Sequence, residues 1–275
     1  MDRIILSICI PTYNRVKYLR ELIPSLITEL AVVNRDAMQV ELVISDNAAT
    51  DGTGEYLRGL SGRGLRVYRN SENIGASRNY LACIDHALGE YIWLFGDDEL
   101  IVSGGIGGVL TLLTNVHPAL LILQASGQDA DGEKVVVYPD YGTCVHEEMK
   151  GNPAFALSHT LITANVFRKE VFDPKKALAM LYTEYSQMYG LMSGLKIGGR
   201  IAFMAGVFSV RAQRAPFERW PTALCVKQAG YLWRLAGWFD VPRLRSMAFR
   251  LALNLPVEVL SCMAHKFLPG RFRQT

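Results

Sequence analysis

An α/β fold, with a mostly parallel sheet covered by flanking helices, is what this 275-residue sequence predicts. Three observations carry that prediction. Apolar runs of strand length alternate with segments of helical apolar spacing through the first hundred residues. Each apolar run ends in a polar, turn-rich segment. The composition, 50% hydrophobic against 20% charged, belongs to a chain able to bury a large core.

Taken in order, ILSICI is the first strand, ending at Pro11. After the loop TYN, the residues Val16, Leu19, Ile23, Leu26, Ile27 and Leu30 recur at helical spacing. VELVIS, Val40 to Ser45, is the second strand; it runs into DNAATDGT, and GEYLRGL opens the next helix. LRVYRN is the third strand, and SRNYLACIDHAL places Leu81, Ile84 and Leu88 on one helical face. YIWLF is the fourth strand. Beyond it, Leu120 to Gln124, Lys134 to Tyr138 and Arg200 to Val210 read as further strands, with DADGEK as a hairpin loop.

Several classes are excluded early. The five cysteines, Cys9, Cys83, Cys144, Cys225 and Cys262, are scattered and form no CxxC pair, so neither a disulfide framework nor a zinc site is expected. A reducing, cytoplasmic setting follows. MDRIILSICIPTYNR has no small-residue cleavage site and reads as a strand, not a signal peptide. The uncharged run Leu100 to Gln128 is long enough to span a bilayer, but SGG, GG and TNVHP break it into helix, turn and strand. From Arg214 onward there are ten Lys/Arg and three Asp/Glu, a balance of +7, whereas Met1 to Gln213 carries nineteen and twenty-three, a balance of −4.

In a parallel α/β sheet the ligand site lies outside the carboxyl ends of the strands. Here those ends are PTYNR, SDNAATD and GDDE, so three strand ends converge on one crevice. Asp97, Asp98 and Glu99 repel one another, and a divalent cation is the obvious compensation. Oxygen donors without His or Cys favour Mg²⁺ or Mn²⁺ over zinc. Alternatively, the triplet caps a helix beginning near Ser103.

The segments SICIPTYNR, ISDNAATDGT, NIGASRN and GEYIWLFGDDE resemble, in this order and spacing, the nucleotide-binding half of the family 2, GT-A fold glycosyltransferases. The resemblance covers residues 4 to 100, and WLFGDDE looks most like the abequosyltransferase-like branch. It implies a GT-A type, Rossmann-like sheet and an inverting sugar transfer in surface polysaccharide (O-antigen or capsule) synthesis. The donor would be a nucleotide sugar and the acceptor a glycan, lipid-linked in this reading. It also assigns roles. Pro11, Thr12, Tyr13 and Arg15 would lie against the nucleotide, Asp46 would accept a hydrogen bond from the base, and Arg78 would sit near the base or phosphates. Asn79 would brace its helix start. Asp97 would face the ribose or the metal shell, with Asp98 and Glu99 completing a metal site. Glu99 stands where the family's D-x-D has its second Asp, so metal ligation falls to Glu99 or to Asp98.

An inverting transfer needs a base to deprotonate the acceptor hydroxyl. The candidate is Glu184 in LYTEYSQMY, beside the apolar face of Leu181, Tyr185, Met188, Met192 and Leu195; His159, Asp140 and Asp173 are weaker alternatives. The expected organisation is a catalytic domain over 1–213, its nucleotide half 1–100 and acceptor half 101–213, followed by basic, aromatic-rich helices over 214–275. Those helices either lie in a membrane interface at the inner face of the cell membrane or pack on the catalytic domain. No nucleic-acid motif accompanies their charge. Two other functions remain: a sugar nucleotidyltransferase, which normally opens with a glycine-rich phosphate loop that PTYNR is not, and a non-catalytic nucleotide-sugar-binding module.

Overall fold

The computed structural model describes residues 3–125, 135–151, 155, 161–183, 185–209, 231–232 and 234–239. Their chain contacts form two units, Met1–Tyr141 with Leu157–Ala212, and Gly142–Ala156 with Gln213–Thr275.

The first unit opens as the alternation predicts. Strand β1 (Leu6–Thr12) is followed by α1 (Val16–Val33), β2 (Val40–Asp46), α2 (Thr53–Arg58), β3 (Leu65–Arg69), α3 (Ala76–His86) and β4 (Tyr91–Leu94). β1 and β2 are buried along their whole lengths. That is why they read as unbroken apolar runs without alternation: helices cover both faces. Leu6, Ile8 and Ile10 join Leu42, Ile44 and Trp93 in one core with Leu19, Leu22, Ile23 and Leu26 of α1. On the opposite face, the Cys9 and Cys83 thiols donate to the Cys83 and Val43 carbonyls at 3.6 and 3.4 Å, seating α3.

After β4 come β5 (Leu100–Ile101), α4 (Gly105–Val116), β6 (Leu120–Ala125), β7 (Val135–Tyr138), α5 (Tyr141–Gly151), β8 (Asn165–Arg168), α6 (Pro174–Ala179), α7 (Ser186–Leu195) and β9 (Ile201–Ser209). The sheet runs β3-β2-β1-β4-β8-β6-β9-β5, with β7 also on β9. β1 to β4 are mutually parallel, and β6 and β9 run the same way. β8, β5 and β7 are antiparallel to their neighbours.

Three local readings differ from the sequence. β6 and β7 do not pair as a hairpin, since each pairs with β9, β6 parallel and β7 antiparallel. β1 does not stop at Pro11: it continues to Thr12, whose register partner is Asp46, because β1 needs no ladder donor from Pro11 to stay paired with Ser45. Leu88 lies beyond α3 and is 63% exposed, since Ala87 is already extended (φ −70°, ψ 138°) and ends the helix. Asn79, Cys83 and Ile84 form the buried face instead.

The strand order reverses beside β1: β2 and β3 lie on one side, β4 on the other. Such a reversal, at the carboxyl ends where helices on opposite faces diverge, is where an α/β sheet forms its ligand crevice. In the second unit, Cys144, Val145, Met149 and Phe155 are buried, as are Tyr231, Leu232, Leu235 and Ala236. Among the described residues no helix is long and apolar enough to cross a membrane.

Candidate active site

Thr12 ends β1 inside the crevice, and its hydroxyl donates to Asp97 Oδ2 at 2.7 Å. Arg15, directly after Asn14, brings Nε to 3.8 Å from Asp97 Oδ1. Asn14 makes that turn possible with φ 55°, a left-handed conformation that asparagine tolerates. Burial pushes the Asp97 carboxyl up to about 6, and neighbouring Asp98 adds to the rise; the Thr12 hydroxyl and Arg15 only partly oppose it.

The rest of the acidic turn is shaped by bonds around Gly96. Gly96 N–H donates to Thr163 Oγ1 at 2.8 Å, and Glu99 N–H returns to the Gly96 carbonyl at 3.2 Å. A side chain on Gly96 would lie 3.2 Å from Glu99 Cγ and 3.3 Å from Thr163 Oγ1, so Glu99 is turned inward against this bend and is 1% exposed. Among the described residues, no three His, Cys, Asp or Glu side chains form a cation cluster. The donors nonetheless fit Mg²⁺ or Mn²⁺: hard oxygens, a half-exposed Asp98 and a proton-avid Asp97, the one or two carboxylates that such ions take alongside ligand phosphates.

The β2 side of the site is built from asparagines. Asp46 is 1% exposed; its Oδ1 accepts from Ala49 N–H at 2.9 Å and its Oδ2 pairs with the Arg69 guanidinium. Arg69 also donates to the Ala49 carbonyl at 3.0 Å. Asn70 Nδ2 donates to Asn47 Oδ1 and Asn79 Oδ1, both at 3.0 Å, and Ser45 Oγ donates to Asn79 Oδ1 at 2.7 Å. Asn47 in turn donates to Asn73 and accepts from Ile74 N–H, fixing the loop before α3. Arg78 is exposed on the first turn of α3 and Tyr13 is 41% exposed at the mouth; Pro11 is buried within β1.

Thus Thr12, Arg15, Asp46 and Asp97 stand together at the strand ends, Glu99 is buried in the Gly96 turn, and Glu184 and His159 lie outside the described residues. Asp173 caps α6 by accepting from Lys176 N–H at 2.9 Å, a structural task. Sequence reasoning missed Arg69, although it ends β3 where the strand-end argument applies equally.

The sequence model of glycosyl transferase family 2 matches residues 7–172. The chain belongs to that family. Among curated relatives, the abequosyltransferase RfbV of Salmonella typhimurium is 38% identical over 112 residues, 40% of this chain and 32% of the relative. A GalNAc(5)-diNAcBac-PP-undecaprenol beta-1,3-glucosyltransferase of Campylobacter jejuni is 28% identical over 108 residues, 38% of this chain and 33% of the relative. This glycosyl transferase family 2 chain therefore spans about a third of the length of the curated relatives it matches. Its fold is shared with Staphylococcus aureus TarS 1–349 in complex with UDP-GlcNAc: TM-score 0.65 at 14% identity, covering 95% of this chain and 79% of that one. It is shared too with the mannosyltransferase PcManGT of Pyrobaculum calidifontis in complex with GDP-Man and Mn²⁺, with TM-score 0.57 at 16% identity over 96% and 76%. The family 2 chain has the GT-A fold.

Proposed function

We propose that this protein is an inverting glycosyltransferase that moves a sugar from a nucleotide-sugar donor to a glycan acceptor during surface-polysaccharide assembly. The observation that carries the reading is the meeting of Thr12, Arg15 and Asp97 at the end of β1, beside the asparagine-built floor around Asp46. The donor's base rests on that floor near Asp46 and Arg69. Its diphosphate lies toward Arg15 and Arg78, whose cations offset the charge that develops as the sugar leaves. Asp97 with Asp98 would hold Mg²⁺ or Mn²⁺, which supplies Lewis-acid stabilisation of the leaving diphosphate.

Glu184 is the acceptor base in this reading; it precedes by two residues α7, which starts at Ser186. A lipid-linked acceptor is supported by the Campylobacter relative, whose name carries an undecaprenol-linked glycan. The protein would work at the cytoplasmic face of the membrane, with the basic residues beyond Arg214 toward the lipid.

Incubation with a panel of sugar nucleotides and Mg²⁺ or Mn²⁺ tests the proposal by release of nucleoside diphosphate. Release dependent on added glycan acceptor supports it. Binding without release points to a non-catalytic module, and pyrophosphate-dependent formation of nucleoside triphosphate points to a nucleotidyltransferase.

A further inference from the structure

Asp51 is exposed and takes no part in the reading above, yet it joins the two loops that form the crevice wall. Its Oδ2 accepts from Val16 N–H at 3.2 Å. Its Oδ1 accepts from Thr53 N–H at 3.0 Å and from the Thr53 hydroxyl at 2.5 Å. That same Thr53 oxygen accepts from Arg15 N–H at 3.2 Å. A third tie lies alongside: Thr50 N–H donates to Asn14 Oδ1 at 2.7 Å.

These bonds meet a specific need. α1 has no acidic residue in its first turn, and the Arg15 side chain gives it no cap; Asp51 supplies the missing acceptor from another loop. α2 starts from Gly52 at φ 91°, a turn that glycine accommodates, so the chain reverses directly after Asp51 and presents Thr53 to the same carboxylate. The main-chain N–H groups of Arg15 and Val16 are thereby pinned by Thr53 and Asp51, while the Arg15 side chain reaches Asp97 at 3.8 Å. Burial is the largest single influence on the Asp51 carboxyl and opposes its ionisation, but the Thr53 and Val16 donors together outweigh it and hold the carboxyl below the usual range.

We propose that Asp51 is a positioning residue for the donor diphosphate: through Thr53 and Val16 it sets the backbone from which Arg15 reaches the crevice. The proposal rests on the nucleotide-sugar reading above. It predicts that the loss caused by removing Asp51 passes through Arg15.

The test is a double-mutant cycle read by calorimetry with Mg²⁺, using whichever of UDP, GDP, CDP and dTDP the wild-type chain binds tightest. Asp51→Ala should weaken binding on the order of 10-fold, similar to Arg15→Ala, the scale of a lost charge-assisted contact. In the Arg15→Ala background, Asp51→Ala should cost less than about 2-fold more. Asp51→Asn, which keeps one acceptor oxygen, should fall between wild type and Asp51→Ala, and it replaces the alanine variant in the cycle if that variant does not fold. An equal loss in both backgrounds, or unchanged affinity in Asp51→Ala, overturns the positioning role and leaves the donor site standing. Absence of nucleotide binding by the wild-type chain overturns the donor site itself, and the Asp51 proposal with it.

Discussion

At the scale of single residues, the crevice keeps charge in places that cost stability. The Asp97 carboxyl is raised from about 3.8 to about 6, so the folded chain holds that proton more tightly than the unfolded chain. Its contribution is fully favourable below pH ~4 and is lost as pH rises through ~6. Metal-free Asp97→Asn should therefore be more stable than wild type at pH 8, by about 2 to 3 kcal/mol, and nearly equal to it at pH 4. Urea unfolding in EDTA at both pH values checks this, and a stabilisation independent of pH would contradict the assignment. Asp46 is buried and answered by Arg69 and Ala49 N–H, so Asp46→Ala strands a half-buried guanidinium and an amide. Nucleoside diphosphate affinity should fall by about 1 to 3 kcal/mol in calorimetry; an unchanged affinity would place the base elsewhere.

At the scale of elements, what could be read depended on how local each signal was. The run from β1 to β4 was legible because every strand and helix carries its own period and is closed by its own turn. The polar strand ends pointed to the crevice for the same reason. β8 was not legible: NVFR is four residues long and earns its place only by pairing antiparallel with β4 and β6, partners distant in sequence. Nor was the role of Thr163, in the turn Ile162–Ala164 that leads into β8. Its carbonyl accepts from Trp93 Nε1 at 2.9 Å and its hydroxyl oxygen accepts from Gly96 N–H, so the turn braces both the body and the end of β4. Glu99 carries a local signal of the same kind, its spacing fitting a ligand, and the structure buries it in the Gly96 bend. Thr163→Val keeps the shape but leaves Gly96 N–H buried and unpaired. It should cost about 1 to 3 kcal/mol in denaturant unfolding and loosen the turn that carries Asp97. A variant as stable as wild type would remove Thr163 from that task.

At the scale of the whole molecule, charge is divided along the chain: −4 up to Gln213 and +7 from Arg214 onward. The acidic crevice turn belongs to the first part, while Trp220, Trp233 and Trp238 are interleaved with the cations of the second. Anionic lipid attracts each nearby Lys or Arg by about 1 kcal/mol, and the attraction decays within a Debye length of about 10 Å at 0.1 M salt. The complete chain should therefore sediment with phosphatidylserine vesicles at low salt and bind at least ~10-fold more weakly when salt is raised into the range where the Debye length falls below about 6 Å. Charge removal discriminates between membrane contact and packing. Replacing Arg243, Arg245 and Arg250 together by Gln should weaken vesicle binding by about 3 kcal/mol, roughly 100-fold, while binding to neutral vesicles stays unchanged. If the same substitutions leave vesicle binding intact but lower the melting temperature, these arginines serve the fold and not a lipid surface. The acceptor would then have to reach the crevice without help from this region.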